Sequence, residues 1–455
     1  VAGGGPVATA PVAIARVAIA RVATAALAAT HGGAVTGDRL IRSTRLDCGL
    51  VVVTERMPDV RSVSAAFWVG TGSRDEDPQM WGASHFLEHL LFKGTATRTN
   101  RSIAEDVDAV GGDINAFTTK EFTAFEMRVL DRSLELGLDI LSDILWNPAL
   151  RPEDVESERQ VILEEILMRA DEPADLVHEI FAEALFPDHP VGREVLGDEA
   201  SIEALTRSDI AAFHAEHYRS ENVVFAAAGH LDHDAVVGGI ERRFSGRSGG
   251  GAPERHQPST PPRPLAVDRR ATEQVHVIVG MRALDREDDD RYALGLLNHA
   301  FGGGASSRLF QAVREERGLS YCIYSYPVGF EGAGGLGVYA GTMPSRVDEV
   351  LDVVGHEVDA IAAGGISARE LEVAKGHMVG ELALSLEDSG ARMYRIGRSQ
   401  LVHGRVPELD ELTSRIEAVT LDDTSRLAEK VLGNERVLAV VGPVDEEAFM
   451  ARRVA

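Results

Sequence analysis

His85, Glu88 and His89 stand in one pentapeptide, His85-Phe86-Leu87-Glu88-His89, and together could hold and use a divalent cation. If the segment is helical, two imidazoles four residues apart lie about 40° apart around the axis, with Glu88 on the same flank. One ion can then bind both rings while the carboxylate stays available as a base. Apolar flanks (Phe86, Leu87, Leu90, Leu91 and Phe92) point to a buried helix, where a bare imidazole pair is costly and a zinc ion would satisfy it. With 15 His and 72 acidic residues in 455, chance gives roughly 0.08 matches to His-x-x-acid-His, so the motif does not stand alone. The plain alternative is a helix with two satisfied histidines.

A third ligand must come from another element. Residues 152–170 (PEDVESERQVILEEILMRA) carry proline at a helix start, acids in the first turns, and a stripe of Val155, Val161, Ile162, Ile166 and Leu167 expected to face the core. Glu158 and Glu165 are seven residues apart and share a helix face. Either carboxylate could complete a His2Glu site with a fourth position left for water. The competing reading is a solvated acidic face, common on Glu-rich helices.

The order His-x-x-Glu-His is the inverzincin pattern, the reverse of the zincin helix. The chain resembles the pitrilysin-type (inverzincin) zinc metallopeptidases, in particular the branch containing the mitochondrial processing peptidase β-subunit and its bacterial relatives. The likeness runs from about residue 45 to about residue 445 and includes GGDINAFTTKEFTAF at 111–125, HPVGREVLG at 189–197 and SSRLFQAVREERGLSY at 306–321. The resemblance implies that His85, His89 and Glu165 bind one zinc ion per chain, with Glu88 as general base and Glu158 as a supporting carboxylate. It also matches Asn115, Ala116 and Phe117 to an edge strand that takes substrate by β-addition. Arg314 and Tyr321 match a pair that donates to the scissile carbonyl and neighbouring backbone. The implied activity is zinc-dependent endopeptidase action on peptides or unfolded polypeptide segments. A noncatalytic structural or substrate-holding homologue is the alternative, although all four metal and base residues are retained here.

An ion held by two neutral imidazoles and a carboxylate keeps a net charge of about +1, polarises a peptide carbonyl and acidifies its water. Glu88 can take that proton and hand it to the departing amine, so no nucleophilic Ser or Cys is needed.

The rest of the chain must position these groups. Short β-rich runs (49–55, 62–70, 121–129 and 222–229) alternate with adjacent helices, which predicts an α+β fold rather than a doubly wound one. Residues 245–264 are Gly-, Ser- and Pro-rich and read as a linker, bounded at 268. The expected organisation is a zinc-binding module at 39–244, the linker at 245–268 and a homologous noncatalytic module at 269–455 carrying Arg314 and Tyr321. Each is expected to be a sandwich of helices on an antiparallel-rich sheet. Past the linker the order of elements repeats: strand 275–282, helix 288–301, a Gly-rich turn, paired strands at 320–341, then long helices. Aligning LNHAFGGGA with LEHLLFKGT sets Gly295, Asn298 and His299 opposite His85, Glu88 and His89, so the second copy has lost two of three chemical groups.

A net charge of −26 argues against nucleic acid and favours basic peptides. Cys48 and Cys322 fit no ligand spacing or disulfide framework and read as inert thiols of a reducing compartment, with a bacterial cytoplasm as the expected location. Residues 1–38 are a low-complexity Ala/Val/Gly tract with VAIAR repeated at 12–16 and 17–21 and no acid before Asp38. They are expected to be disordered or an upstream extension, with organellar or extracytoplasmic targeting left open and no continuous span for a membrane. In large family members two module pairs face each other, so the single pair here implies a homodimer in which the partner subunit's Arg314 and Tyr321 approach the zinc.

Overall fold

The computed structural model describes residues 40–450. The expected N-terminal extension at 1–38 lies outside the described residues. Two mixed sheets with packed helices give the α+β architecture expected from the sequence.

The first sheet contains β1 (Ile41–Arg45), β2 (Val51–Arg56), β3 (Ser62–Val69), β4 (Asp113–Thr118), β5 (Thr123–Leu130) and β6 (Val223–Gly229), in the order β1-β2-β6-β3-β5-β4. Only β2 and β6 pair in parallel. The second contains β7 (Leu265–Arg269), β8 (Val275–Arg282), β9 (Ser320–Phe330), β10 (Ala333–Thr342) and β11 (Arg436–Gly442), in the order β7-β11-β8-β10-β9. Its parallel pair is β7 and β11. Strand for strand this repeats β2-β6-β3-β5-β4, so β9 occupies the edge position that β4 holds in the first sheet.

Central strands such as β3 (SVSAAFWV) and β6 (VVFAAAG) are apolar on successive residues because both faces of the sheet are covered. In the first sheet, Phe67, Val69 and Phe225 pack with α1 (Ala83–Leu91) and α2 (Pro152–Ala170) in one core. Each sheet then borrows a helix from the other half for its opposite face. Val177 and Phe181 of α3 (Pro173–Leu185) pack against Ile278 and Ala439 of the second sheet. Met393 and Ile396 of α4 (Ser389–His403) pack against Ala66 and Trp68 of the first. A Cβ on Gly397 would sit 2.2 Å from Trp68 Nε1, so this glycine lets α4 approach the sheet. The two halves are thereby interlocked by apolar burial.

Two expectations need adjustment. Strand β7 starts at Leu265, inside the span bounded at 268, and the preceding stretch is pinned rather than loose. Arg255 donates to both oxygens of Asp75 at 2.8 Å and to Gly70 O and Glu121 O, while Arg74 donates to His256 O at 2.6 Å. On α2, Val155 and Ile162 are buried as the stripe requires, but Val161 is 38% and Leu167 63% exposed. Its inward face also carries Glu158, which meets His89, and Arg159, which donates to the carbonyl oxygens of Ile202 and Leu205.

Candidate metal centre

Helix α1 runs over ASHFLEHLL and buries Phe86, Leu87, Leu90 and Leu91. Gly82 precedes it at φ +92°, where a Cβ would lie 2.6 Å from Ile202 Cδ1 and 2.7 Å from Leu196 O; only glycine fits this turn into the helix. Glu76, itself buried, accepts hydrogen bonds from the backbone N–H of Gly82 at 2.8 Å and Ser84 at 2.7 Å, fixing the turn that carries His85. Burial pushes the Glu76 carboxyl up to about 8 against the opposing pull of those bonds.

Helix α2 lies across α1 and supplies the two candidate carboxylates, which the structure separates by position. Glu165 Oε2 is 3.8 Å from His85 Nε2 and 3.6 Å from His89 Nε2. Glu158 Oε2 instead sits 3.1 Å from His89 Nδ1, on the other side of the same ring, and its second oxygen pairs with Lys93. Glu165 therefore faces the space shared by both imidazoles, and Glu158 orients His89 from behind. The three donor atoms of His85, His89 and Glu165 lie within 4.8 Å of one another, and no other such group of His, Cys, Asp or Glu occurs among the described residues. A tetrahedral zinc site with bonds of about 2.0–2.2 Å spaces its ligands roughly 3.3–3.6 Å apart, close to the 3.8 and 3.6 Å that separate Glu165 from the two imidazoles.

The electrostatics fit a cation. Burial pushes His85 down to about 3, with His89 and Arg169 adding to the shift, so the ring is neutral and its lone pair free to bind. His89 feels the same burial, but its bond to Glu158 and the carboxylates of Glu165 and Glu88 outweigh it and raise its pKa. Burial would raise Glu158, yet the bonds from His89 and Lys93 hold it below the usual carboxylate range. Glu165 is raised by burial, with Glu158 adding and His89 opposing. Glu88 is pushed up to about 7 by burial, opposed by a hydrogen bond from Thr118 and the charge of His89. Gathering carboxylates and histidines without a countercharge is unfavourable, and a divalent ion would relieve it.

Asn115, Ala116 and Phe117 lie on β4, whose outer edge is unpaired in the sheet. Arg314 sits in a π-helical turn (Phe310–Glu315), its guanidinium 4.7 Å from the Phe310 ring and 4.5 Å from the Tyr321 ring. Tyr321, near the start of β9, is 81% exposed. The structure thus gathers His85, Glu88, His89, Glu158 and Glu165 into one centre and sets Arg314 beside Tyr321 on the second half. Sequence reading missed Thr118, Lys93 and Glu76. Lys93 follows His89 by four residues on the extension of α1 and could have been found; Glu76 carries no local signal.

Residues 51–199 match the family described as insulinase (peptidase family M16), and residues 204–378 match the peptidase M16 inactive domain. An uncharacterized zinc protease of Streptomyces coelicolor is 45% identical over 416 residues, covering 90% of this chain and 90% of the relative. One of Mycobacterium leprae is 43% identical over 421 residues, covering 90% and 94%. One of Bacillus subtilis is 36% identical over 396 residues, covering 87% and 96%. Among solved structures, a peptidase M16 inactive domain from Pseudomonas fluorescens aligns with TM-score 0.83 at 21% identity, over 89% of this chain and 98% of that one. A Helicobacter pylori protease aligns with TM-score 0.81 at 21% identity, over 88% and 99%. At that identity the structures establish the fold.

Proposed function

The chain belongs to peptidase family M16, and from that premise we propose that it is a zinc-dependent endopeptidase acting on peptides or unfolded polypeptide segments. The observation that carries this reading is the convergence of His85, His89 and Glu165 on one space with Glu88 beside them. When bound there, zinc supplies Lewis acidity toward the scissile carbonyl and lowers the pKa of water. Glu88 takes the proton from the attacking water and returns it to the departing amine. Glu158 fixes the tautomer and orientation of His89. Thr118 holds the Glu88 carboxylate in place and favours its ionised, proton-accepting form.

Strand β4 takes the substrate in extended form along its free edge, through Asn115, Ala116 and Phe117, so main-chain pairing gives affinity with loose sequence preference. Arg314 and Tyr321 supply donors to the substrate carbonyl. The exposure of Tyr321 supports a homodimer in which the partner subunit's Tyr321 and the partner subunit's Arg314 complete the site. The stretches GGDINAFTTKEFTAF and SSRLFQAVREERGLSY support a likeness to processing peptidases within the family. The bacterial relatives, and two cysteines too few for a disulfide framework, support a bacterial cytoplasmic setting. Among the described residues no helix is long and apolar enough to cross a membrane.

Digestion of a mixed peptide library by the purified chain, with and without a chelator, tests the proposal by mass spectrometry. Internal cleavages that vanish with chelator are expected. A library left intact by the zinc-loaded chain favours the substrate-holding alternative.

A further inference from the structure

Thr118, which meets Glu88 at the end of β4, leads straight into the turn Thr119-Lys120-Glu121-Phe122 that connects β4 to β5. The turn closes on itself through the N–H of Thr119, which donates to Phe122 O at 2.8 Å. A loop of the first half grips it: the N–H groups of Ser73 and Arg74 donate to Thr119 O at 3.1 Å and Lys120 O at 2.7 Å. The second half reaches the same turn through Glu121.

Glu121 is 5% exposed, and both its oxygens are used. Oε1 accepts from Arg74 Nη1 at 2.6 Å and from the Glu331 N–H at 3.0 Å, and Oε2 accepts from Arg286. Arg286 and Glu331 belong to the second half, Arg286 after β8 and Glu331 in the turn between β9 and β10. Arg286 is itself held, its N–H donating to Phe330 O at 3.0 Å and its Nη2 to Glu331 Oε2 at 3.1 Å. Arg255 pairs with Asp75 and Glu331, so the network sets three guanidiniums against three carboxylates. The turn after β4 and the turn after β9 are thus tied by charge at one point, three residues from Thr118.

We propose that Arg286 of the second half is a positioning residue for the base, acting through Glu121, the turn and Thr118. The proposal rests on the peptidase reading with Glu88 as that base. A buried ion pair adds little net stability, because desolvation offsets its Coulombic gain; what it supplies here is a fixed position. Held by Arg286, the turn keeps the Thr118 hydroxyl aimed at Glu88 Oε2. Released from it, Thr118 spends less time within reach of the carboxylate. The second half thereby contributes to chemistry carried by the first, within one chain.

Kinetics of the zinc-loaded full chain and its variants test this, with turnover expressed per bound zinc. Arg286→Gln/Glu121→Gln removes one charge of each sign, so the rest of the network stays balanced. Its kcat is expected to fall roughly three- to tenfold, the scale of the one hydrogen bond it acts through, while KM stays within about twofold and zinc content is unchanged. In a Thr118→Val background the same pair of changes should cost nothing further, because the contact it positions is already gone. Arg286→Lys keeps the charge but cannot span Glu121 and Glu331 together, so its kcat should fall between wild type and the pair variant. Should the pair variant not fold, Arg286→Lys, alone and with Thr118→Val, carries the same comparison. A role confined to stability lowers the unfolding midpoint and leaves kcat per zinc unchanged. That result, or losses that multiply with Thr118→Val, would overturn the positioning role and leave the peptidase reading intact. Zinc-loaded wild type that cleaves nothing would overturn both.

Discussion

Thr118 donates its hydroxyl hydrogen to Glu88 Oε2, joining the last residue of edge strand β4 to the proposed base on helix α1. The strand proposed as the substrate's docking edge thus also holds the carboxylate proposed to accept the proton. A hydrogen bond to the charged form of an acid favours that form, so Thr118 works against the burial that pushes Glu88 up to about 7.

Thr118→Val keeps the shape and removes this donor. The pKa of Glu88 should rise, so the acid limb of the pH–rate profile moves to higher pH and kcat/KM near pH 6 falls roughly tenfold. The profile measured on wild type and variant checks this; an acid limb that stays in place would separate Thr118 from the base.

His85→Ala, His89→Ala and Glu165→Gln should each lose zinc, because each removes a donor from the shared space. Glu158→Gln should weaken zinc binding only by roughly 10- to 100-fold, since Glu158 acts through His89. Metal content after dialysis against a graded chelator series separates the two classes. If Glu158→Gln strips the metal while Glu165→Gln keeps it, the assignment of the two carboxylates is reversed.

His178 lies on α3, where it meets Tyr326 OH at 2.7 Å and Tyr324 OH at 3.2 Å across the junction of the halves. Burial pushes it down from 6.5 to about 4. Between those values the unfolded chain binds more protons than the folded one, so stability rises with pH across this window and is lost as pH falls through it. His178→Gln keeps a hydrogen-bonding side chain that does not titrate. Its unfolding midpoint should vary less between pH 4 and 6.5 than that of wild type, as denaturant titrations at several pH values would reveal.

Mixing two inactive chains, Glu88→Gln and Tyr321→Phe, decides whether the site is shared between subunits. In a mixed dimer one zinc centre has an intact base and faces the intact tyrosine of the partner subunit. With free exchange, roughly a quarter of the sites should regain activity. If mass spectrometry proves mixed dimers and activity stays absent, the shared site is wrong and the peptidase assignment stands.

The geometry of the pentapeptide at 85–89 was legible because its spacing is local: helical periodicity alone puts both imidazoles and Glu88 on one flank. The bounds of α2 were legible too, from Pro152 at its start and the acids that follow. Choosing between Glu158 and Glu165 from residues alone was not, because both share a helix face and only tertiary packing sets one at Nδ1 of His89 and the other at Nε2. The stripe on α2 was misread at Val161 and Leu167, where hydrophobicity did not report burial. The exchange of α3 and α4 between halves left no mark in linear order, since an amphipathic helix does not state which sheet it covers. Thr118 was passed over because its role depends on the end of β4 meeting α1 in space.

The most direct test of the central claim measures zinc content and peptide turnover on the same samples of wild type and Glu88→Gln. Zinc held by His85, His89 and Glu165, with Glu88 as the base, predicts about one zinc per chain in both proteins. It predicts chelator-sensitive turnover in wild type and a loss of roughly 10²- to 10⁴-fold in the variant. Equal turnover in the two proteins, or cleavage by wild type that carries no zinc and ignores the chelator, would contradict it.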